Sequence, residues 1–402
     1  MNAEDFFMPE DGERIKELRH RIHMYPELEL DLPKTAALVK EELERIGVPY
    51  TEKFCRSSVV GYINYGTKAL SDAPAVGEDG HVLTIGLRAD MDALPIQEET
   101  GLPYASTVSG VMHACGHDAH TAMLLGAAQA LKRAEKAGAL RCRIKLLFQP
   151  NEEGEGEGSV TMIENGVLSD VDEIYGQHID NKEQTGTVCW HKGPTMAGCR
   201  TYNVDFCGKS AHATLPQYAH DALAMALRAA EGIYFLGARE ISPFDEHIIS
   251  IGSLHAGTTH NIIADRAEMK ISTRYFDDEL GEFIGRRIRR ICEDAAAELG
   301  GRAAVENGAS TFAVNNDPSV TERAIDAALR LLPKEKVRDS GKTMGSEDFS
   351  CFQKVRPGTF WHLGTGNPEK GCTGVAHQSD LIIDEDAFIT GSMMMTQIAL
   401  DR

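Results

Sequence analysis

The chain has 402 residues, of which 42% are hydrophobic and 25% charged, and this balance is typical of a folded globular protein. A formal net charge of −20 argues against binding to nucleic acid or to an anionic membrane surface, so small-molecule or peptide partners are favoured. The length favours two domains over one. The acidic N-terminus, the lack of an apolar run long enough to span a membrane and the nine scattered cysteines lead us to expect a cytoplasmic protein with reduced thiols.

The first candidate ligands follow a predicted strand. Apolar residues at helical spacing predict two helices over residues 11–46, and a short apolar run then predicts a strand over 82–88. Asp90 and Asp92 come directly after that strand. A strand that ends in two acids delivers carboxylates to the rim of a sheet, where α/β proteins place their ligands. A solvated turn is the alternative interpretation of this pair.

The densest group of metal-ligand side chains lies in the segment 113–120, which reads His-Ala-Cys-Gly-His-Asp-Ala-His. It precedes an apolar run that predicts a buried helix extending to about residue 136. Zinc and neighbouring transition metals prefer thiolate and imidazole ligands, and the Cys115–His117 spacing can direct both side chains to one side of a turn. We interpret the segment as half of a metal site. A histidine-rich surface loop or a buried structural thiol is the alternative.

Two further predicted strands also end in ligand side chains. The strand over 142–148 leads into Glu152 and Glu153, and the strand over 173–178 ends at His178. Adjacent carboxylates can divide their work, since one can hold a metal while the other transfers protons. An exposed acidic loop is the alternative for the glutamate pair.

Residues 191–306 follow a different pattern, which predicts an inserted domain. The predicted order is a strand over 202–206, a helix over 221–236, strands over 247–254 and 267–275, a helix over 278–299 and a strand over 302–305. This βαββαβ order is the ferredoxin-like plan, which can fold as a self-contained unit. Residues 1–190 and 307–402 are then predicted to form the catalytic, metal-binding domain. In its second part, His362 and His377 are candidates for a last ligand.

Six motifs, taken in order, resemble the aminoacylase and carboxypeptidase family of two-domain metallohydrolases. They are Arg88-Ala-Asp-Met-Asp-Ala-Leu-Pro, Met112-His-Ala-Cys-Gly-His-Asp, Phe148-Gln-Pro-Asn-Glu-Glu-Gly, Gly208-Lys-Ser-Ala-His, Met344-Gly-Ser-Glu-Asp-Phe and Phe360-Trp-His-Leu-Gly-Thr-Gly. The resemblance is to the amidohydrolase branch, which includes hippurate hydrolases, indole-acetyl-amino-acid hydrolases and N-acyl-amino-acid amidohydrolases. It implies an α/β catalytic domain with a mixed central sheet flanked by helices and a dinuclear metal site, plus the inserted ferredoxin-like domain.

The resemblance also implies a role for particular residues. The implied ligands of two divalent metal ions are Cys115, His117, Glu153, His178 and His377. Cys115 would bridge the ions, Glu152 would act as general acid and base, and Asp92 would orient a ligand. The implied metal is zinc or manganese, with cobalt and nickel as further candidates.

The inserted domain carries further implied functions. In the family, the histidine corresponding to His212 donates a hydrogen bond to the developing oxyanion, often in the active site of the partner subunit. Asn261 and Arg274 are predicted to bind the substrate. The expected assembly is a homodimer, or a tetramer, formed through this domain.

The sequence therefore predicts a metal-dependent amidohydrolase that cleaves the amide bond of N-acyl amino acids or related conjugates. A metal-activated water would attack the carbonyl, with Glu152 transferring the proton. One alternative is a dipeptidase or carboxypeptidase that acts on unblocked peptides. The other is an inactive, metal-free binding protein.

Overall fold

The computed structural model describes residues 1–66, 74–77, 80–154 and 157–402. The α-helices are α1 (Asp11–His23), α2 (Pro33–Ile46), α3 (His117–Lys136), α4 (Glu157–Glu164), α5 (Ala222–Arg239), α6 (Asp278–Glu298), α7 (Pro318–Leu331), α8 (Phe349–Gln353) and α9 (Phe388–Leu400). The strands are β1 (Tyr50–Thr51), β2 (Val59–Ile63), β3 (Thr84–Asp90), β4 (Arg143–Gln149), β5 (Glu173–Gln184), β6 (Val188–Trp190), β7 (Gly193–Met196), β8 (Gly198–Cys207), β9 (His247–Ala256), β10 (Arg266–Tyr275), β11 (Arg302–Thr311), β12 (Val314–Asn316), β13 (Val337–Asp339) and β14 (Gly358–Gly366). Short 3-10 helices cover Ala3–Phe6, Pro216–Tyr218, Lys334–Lys336, Pro368–Lys370 and Glu385–Ala387.

The described chain divides into two compact units. The first comprises Met1–Gly193, Asn315–Gly341 and Asp348–Arg402, and the second comprises Pro194–Val314 and Lys342–Glu347. The boundary placed at residues 306 and 307 from the sequence falls inside β11. That strand continues to Thr311, because its pairing with β8 resumes at Ser310 beyond an irregularity after Asn307. The polar sequence there carries no apolar alternation from which its full length could be predicted.

The first unit is built on an eight-stranded sheet with the order β1-β2-β4-β3-β5-β14-β6-β13. The four neighbours β4, β3, β5 and β14 are parallel, whereas β2 pairs antiparallel with β4 and β14 pairs antiparallel with β6. Parallel neighbours need a crossover connection, and α3 provides it between β3 and β4. The predicted α/β class with a mixed central sheet is confirmed.

Helix α3 is buried along most of its length, as its alanine- and leucine-rich sequence allows. It packs against α1, α9 and β3. A Cβ atom at Gly126 would lie 2.6 Å from Cδ1 of Ile15 in α1, so glycine permits the close approach of the two helices. Because close-packed interiors resist displacement, the first turn of α3, which carries His117, is held firmly in place.

The carboxyl ends of the four parallel strands meet at one edge of the sheet. Asp90 at the end of β3 pairs with Gln149 at the end of β4, and His178 of β5 pairs with His362 of β14. Ligand side chains from separate parts of the sequence are therefore delivered to one edge of the first unit.

The second unit contains a four-stranded antiparallel sheet with the order β11-β8-β10-β9. Helices α5 and α6 pack together and against this sheet around a core that includes Phe206, Ile233 and Ile288. Each helix is preceded by an N-cap aspartate, Asp221 or Asp277, whose side chain accepts hydrogen bonds from backbone amides of the first turn. The predicted βαββαβ order is confirmed.

The nine cysteines all lie in the described ranges, and each is a free thiol. Within those same ranges, no helix combines the length and the apolar character that crossing a bilayer requires.

Candidate metal centre

A left-handed glycine shapes the loop that carries Cys115 and His117. Gly116 has a φ of +90° and is the N-cap of α3. A Cβ atom at this position would lie 2.6 Å from Cγ1 of Ile179, so both the backbone conformation and the space require glycine. This turn places Cys115 just before α3 and His117 in its first turn.

Cys115 and His178 are in direct contact. The Cys115 Sγ lies 3.2 Å from Nε2 of His178. The Nδ1 of His178 lies 2.7 Å from the carbonyl oxygen of Ile179 and donates to it, which leaves the Nε2 lone pair directed at the thiol. Donor atoms of Cys115, His117 and His178 all lie within 4.8 Å of one another.

A second group of donor atoms shares the same thiol. Cys115, Glu153 and His377 also have donor atoms within 4.8 Å of one another, and Nε2 of His377 lies 3.1 Å from Oε1 of Glu153. His377 has a left-handed φ of 71°, and its backbone amide donates to the carbonyl oxygen of Ala114 at 2.7 Å. Cys115 belongs to both of these groups, so its thiol would contact both ions if each group held one.

His117 presents an unpartnered nitrogen to three carboxylates. Its Nδ1 lies 3.3 Å from Oδ1 of Asp92, and its buried Nε2 has no hydrogen-bond partner among the described residues. Oxygens of Asp90, Glu152 and Glu153 lie 3.8–3.9 Å from that Nε2. Burial opposes the charge of the ring, but Asp90, Asp92 and Glu153 raise the pKa of His117 to about 10.

The electrostatics of the group fit divalent cations. Burial, together with the charges of Glu153, Glu152 and Asp90, raises the pKa of the Cys115 thiol well above its usual value. A nearby cation reverses this effect, because it stabilises a thiolate and offsets the repulsion among the carboxylates. One thiol, three imidazoles and carboxylates are donor types that transition metals accept. The residues present therefore fit a metal centre.

Asp92 organises the loop that carries both glutamates. Its Oδ1 accepts a hydrogen bond from the amide of Glu152 and its Oδ2 accepts one from the amide of Glu153, each at 3.0 Å. Asn151, which precedes them, has a left-handed φ of 55°, a conformation that asparagine tolerates better than most residues. The same Asp92 carboxylate orients the His117 ring, so one side chain fixes three members of the site.

Glu152 is held by a main-chain donor. The amide of Asp348 lies 3.2 Å from Oε1 of Glu152 and donates to it. The Asp348 carboxylate is fully buried and accepts hydrogen bonds from Arg88 at 2.8 Å and from Gln149 at 2.7 Å. Those two bonds lock Asp348, and with it the amide that positions Glu152.

The neighbouring histidines differ from the implied ligands. The Nδ1 of His120 donates to Asp90 at 2.6 Å and its Nε2 accepts from the amide of Ile179 at 3.0 Å, so both ring nitrogens are engaged. His113 is buried, and burial lowers its pKa to about 3. His362, the other candidate in the second part of the chain, has its ring tilted relative to that of His178, with ring centroids 6.3 Å apart. Of His362 and His377, only His377 belongs to a donor group among the described residues.

Three of the predicted site residues lie in the second unit. His212 is exposed, and its Nδ1 accepts a hydrogen bond from the amide of Thr214 at 3.3 Å and contacts the Thr214 hydroxyl at 2.8 Å. Asn261 is adjacent, because its carbonyl accepts from the amide of Ala213. Arg274 lies on β10, where its Nη1 donates to Sγ of Cys199 at 2.8 Å. The first unit therefore brings together Asp92, Glu152 and the five implied ligands, and the second unit brings together His212 and Asn261.

Sequence reasoning assigned no role to the supporting residues Arg88 and Asp348, and it placed His120 only among the candidate metal ligands of segment 113–120. Arg88 and Asp348 lie within two of the six motifs, and an arginine inside an otherwise apolar strand is a signal that a buried carboxylate partner must exist. The partner itself, 260 positions away in the sequence, could not be read from that signal.

The mixed sheet, the ferredoxin-like unit and the shared thiol, imidazole and carboxylate donors define a two-unit metal-dependent hydrolase. Residues 86–401 match the profile of Peptidase family M20/M25/M40. The chain belongs to this family, and the resemblance to aminoacylases and carboxypeptidases is confirmed.

Named relatives span nearly the whole chain. Thermostable carboxypeptidase 1 of Saccharolobus solfataricus is 37% identical over 390 residues, which are 96% of this chain and 94% of that protein. N-acetyl-L-cysteine deacetylase of Bacillus subtilis is 34% identical over 382 residues, which are 95% of this chain and 86% of that protein. Among solved structures, the Bacillus subtilis protein YXEP, described as a dinuclear metal-binding peptidase of family M20, has a TM-score of 0.81 at 29% identity and covers 97% of this chain and 98% of that chain.

The Cys115→Ala variant should lose at least one equivalent of metal, because the substitution removes a donor from both groups. Metal content after purification without chelator, measured by plasma mass spectrometry, tests this. Cys207→Ala is the control, because Cys207 lies on β8 of the second unit and should retain the full metal content. A Cys115→Ala protein with undiminished metal would contradict the assignment of the thiol as a ligand.

Proposed function

We propose that this protein is an amidohydrolase that uses two divalent metal ions to cleave the amide bond of N-acyl amino acids or related amino-acid conjugates. The observation that carries the proposal is the division of the glutamate pair. Glu153 contacts His377 within a donor group that includes Cys115, whereas Glu152 belongs to no group with the thiol among the described residues and accepts a hydrogen bond from the Asp348 amide. A ligand and an adjacent proton carrier are what metal-assisted amide hydrolysis requires.

Glu152 is suited to move protons between water and the leaving group. Bound divalent ions would supply Lewis acidity at the scissile carbonyl and lower the pKa of the attacking water. Glu152 accepts the proton of that water and donates it to the amide nitrogen as the bond breaks. Its Oε1 is fixed by the Asp348 amide, and its Oε2 lies 3.9 Å from His117 Nε2, so the carboxylate faces the donor group.

The donor set bears on the choice of metal. Thiolate and imidazole donors favour zinc, while carboxylate donors are also compatible with manganese. We propose zinc or manganese as the metal in use, with cobalt and nickel as further candidates. The relative YXEP, whose description names a dinuclear metal site, supports the proposed count of two ions.

His212 has the tautomer that an oxyanion donor needs. A backbone amide can only donate, so the Thr214 amide makes Nδ1 of His212 an acceptor and leaves the ring proton on Nε2. An Nε2–H group is a hydrogen-bond donor for charge that develops on the carbonyl oxygen. Following the family resemblance, we propose that His212 acts in the site of a partner subunit, and that Asn261 and Arg274 bind the substrate.

The second unit has a surface suited to pairing with another copy. Leu223, Leu227 and Tyr234 lie on one face of α5 and are exposed, with Leu227 and Tyr234 more than half exposed. Strand β9 is an edge of the four-stranded sheet, so its outer backbone groups are available for pairing. Large exposed apolar side chains beside an open strand edge support a homodimer, or a tetramer built from such dimers.

The proposed setting is the cytoplasm, where free thiols persist, and the partners are small-molecule amides rather than nucleic acid or membrane. Nine free cysteines and the net charge of −20 support this setting.

A second candidate is a carboxypeptidase acting on unblocked peptides, which the thermostable carboxypeptidase relative favours. A panel of N-acetyl amino acids, N-benzoyl amino acids and free dipeptides separates the two activities. We expect hydrolysis of acylated substrates, loss of activity after chelation, and recovery with zinc or manganese. Faster cleavage of free dipeptides would favour the carboxypeptidase, and a metal-loaded protein that hydrolyses none of them would contradict both enzymatic proposals.

Glu152→Gln should lower turnover by roughly 10²–10⁴-fold, because the amide side chain cannot accept the proton of the attacking water. Metal content should be unchanged, since Glu152 is not assigned as a ligand. Glu153→Gln is the matched comparison one residue away, and it should lose metal as well as activity. Turnover of the Glu152 variant within a few-fold of the unmodified enzyme would refute the assigned role.

His212→Ala should lower turnover by roughly 10²–10³-fold with unchanged metal content, because it removes a donor to charge that exists only in the transition state. Mixing inactive His212→Ala and inactive Glu152→Gln proteins tests the shared site. If subunits exchange, the mixed dimer contains one site with a native Glu152 and a native His212, and activity should return. Exchange demonstrated by an affinity tag without recovered activity would exclude action across subunits.

A further inference from the structure

The loop that carries His377 has no regular secondary structure to fix it. Residues 373–384 lie between the short 3-10 helices Pro368–Lys370 and Glu385–Ala387, and none of them belongs to a helix or strand. His377 itself is about half exposed and left-handed, a conformation that costs energy in a residue other than glycine. The position of its imidazole must therefore come from tethers between the loop and the rest of the first unit.

Asn181 holds both ends of this loop. It lies on β5, three residues after His178, and its Nδ2 donates to the carbonyl oxygen of Gly374 at 2.9 Å and to that of Ile382 at 2.8 Å. Its Oδ1 accepts a hydrogen bond from the Thr365 hydroxyl of β14 at 2.7 Å. Because the two carbonyl oxygens can only accept, they require the NH2 group of Asn181 to face the loop, and the Thr365 hydroxyl then donates to the remaining Oδ1.

We propose that Asn181 is a positioning residue for His377, and thereby determines the affinity of one of the two metal ions. This rests on the proposed function in one respect, namely that His377 is a ligand. Asn181 binds the loop both before and after His377. Because Asn181 lies on the same strand as His178, it connects His178, a member of one donor group, with His377, a member of the other. Within the described part of the chain, the hydrogen bonds of its side chain go to the loop carbonyls and to Thr365, and to no donor atom of the metal centre.

The chemistry at this position requires asparagine. Aspartate has the same shape, but it would place carboxylate oxygen against two carbonyl oxygens, with repulsion in place of two hydrogen bonds. Alanine would leave the two carbonyl groups without this donor. Among the other tethers, the His377 amide to Ala114 and the contacts of Ser379 with Glu99 hold the middle of the loop, and Asp384 holds its far end through Thr365 and Thr185. Asn181 joins the segment before His377 to the segment after it.

The test is a metal titration of chelator-stripped protein, with zinc in competition with a chromophoric chelator. In Asn181→Ala, one of the two zinc ions should bind about 10–100-fold more weakly, and the affinity for the other should be unchanged. A loss of this size is usual when a group that orients a metal ligand is removed. Asn181→Asp should show a larger loss at the same equivalent. Thr365→Val, which removes only the hydroxyl that donates to Oδ1 of Asn181 and helps to hold its side chain, should show a smaller loss of the same sign.

Asn316 provides the matched control. Its Nδ2 also donates to two carbonyl oxygens, of His191 at 3.0 Å and Phe360 at 2.8 Å, but it holds no loop that carries a ligand. Asn316→Ala should lower the melting temperature while both equivalents keep their affinity. The proposal would be overturned if Asn181→Ala bound both metal ions equally more weakly, or if it bound both as tightly as the unmodified protein does. If the Asn181 variants fail to fold, unchanged metal binding in Thr365→Val would overturn it instead.

His377→Ala separates this inference from the proposed function. If His377→Ala loses one equivalent while the Asn181 variants bind normally, only the positioning role fails. If His377→Ala itself binds two equivalents with the affinity of the unmodified protein, the ligand assignment fails, and the role of Asn181 fails with it.

Discussion

The structure depends on bringing several acidic groups together in a buried place. Asp90, Glu152, Glu153 and the Cys115 thiol converge around His117 with little solvent to screen them. Charged groups in such a setting are stable only when opposite charge and hydrogen-bond donors surround them. Divalent ions would provide the charge, and backbone amides and imidazoles provide the donors. Repulsion among these acidic groups makes the site unfavourable without metal, and the same concentration of negative charge gives the site its affinity for divalent ions.

Main-chain groups do much of the positioning. The amides of Glu152 and Glu153 bind the Asp92 carboxylate, the amide of Asp348 binds Glu152, and the amide of His377 binds the carbonyl of Ala114. Such contacts fix the reactive side chains through the backbone, so loops without regular secondary structure can still place them accurately. An enzyme loses activity when its catalytic side chains are displaced by about 1 Å. Buried supporting charges such as Arg88 are therefore needed to hold those side chains in position.

The sequence predicted the class of fold and the members of the first donor group, because local signals carry them. Apolar periodicity identified β3, β4, β5 and the inserted βαββαβ unit, and the clustered ligand types of residues 113–120 identified the thiol and imidazole. The length of β11 was missed, since its second half is polar. The contacts of Asp348 with Glu152 and of Asn181 with the His377 loop join segments about 200 residues apart, and no local pattern encodes such pairs.

The central claim is that Cys115 is shared by two metal ions, with His178 on one side and Glu153 and His377 on the other. Anomalous diffraction at the zinc or manganese absorption edge, from crystals of metal-loaded protein, tests it most directly. The account predicts two peaks about 3.5–4 Å apart with the Cys115 sulfur within bonding distance of both. A single peak, or two peaks of which Cys115 contacts only one, would contradict it.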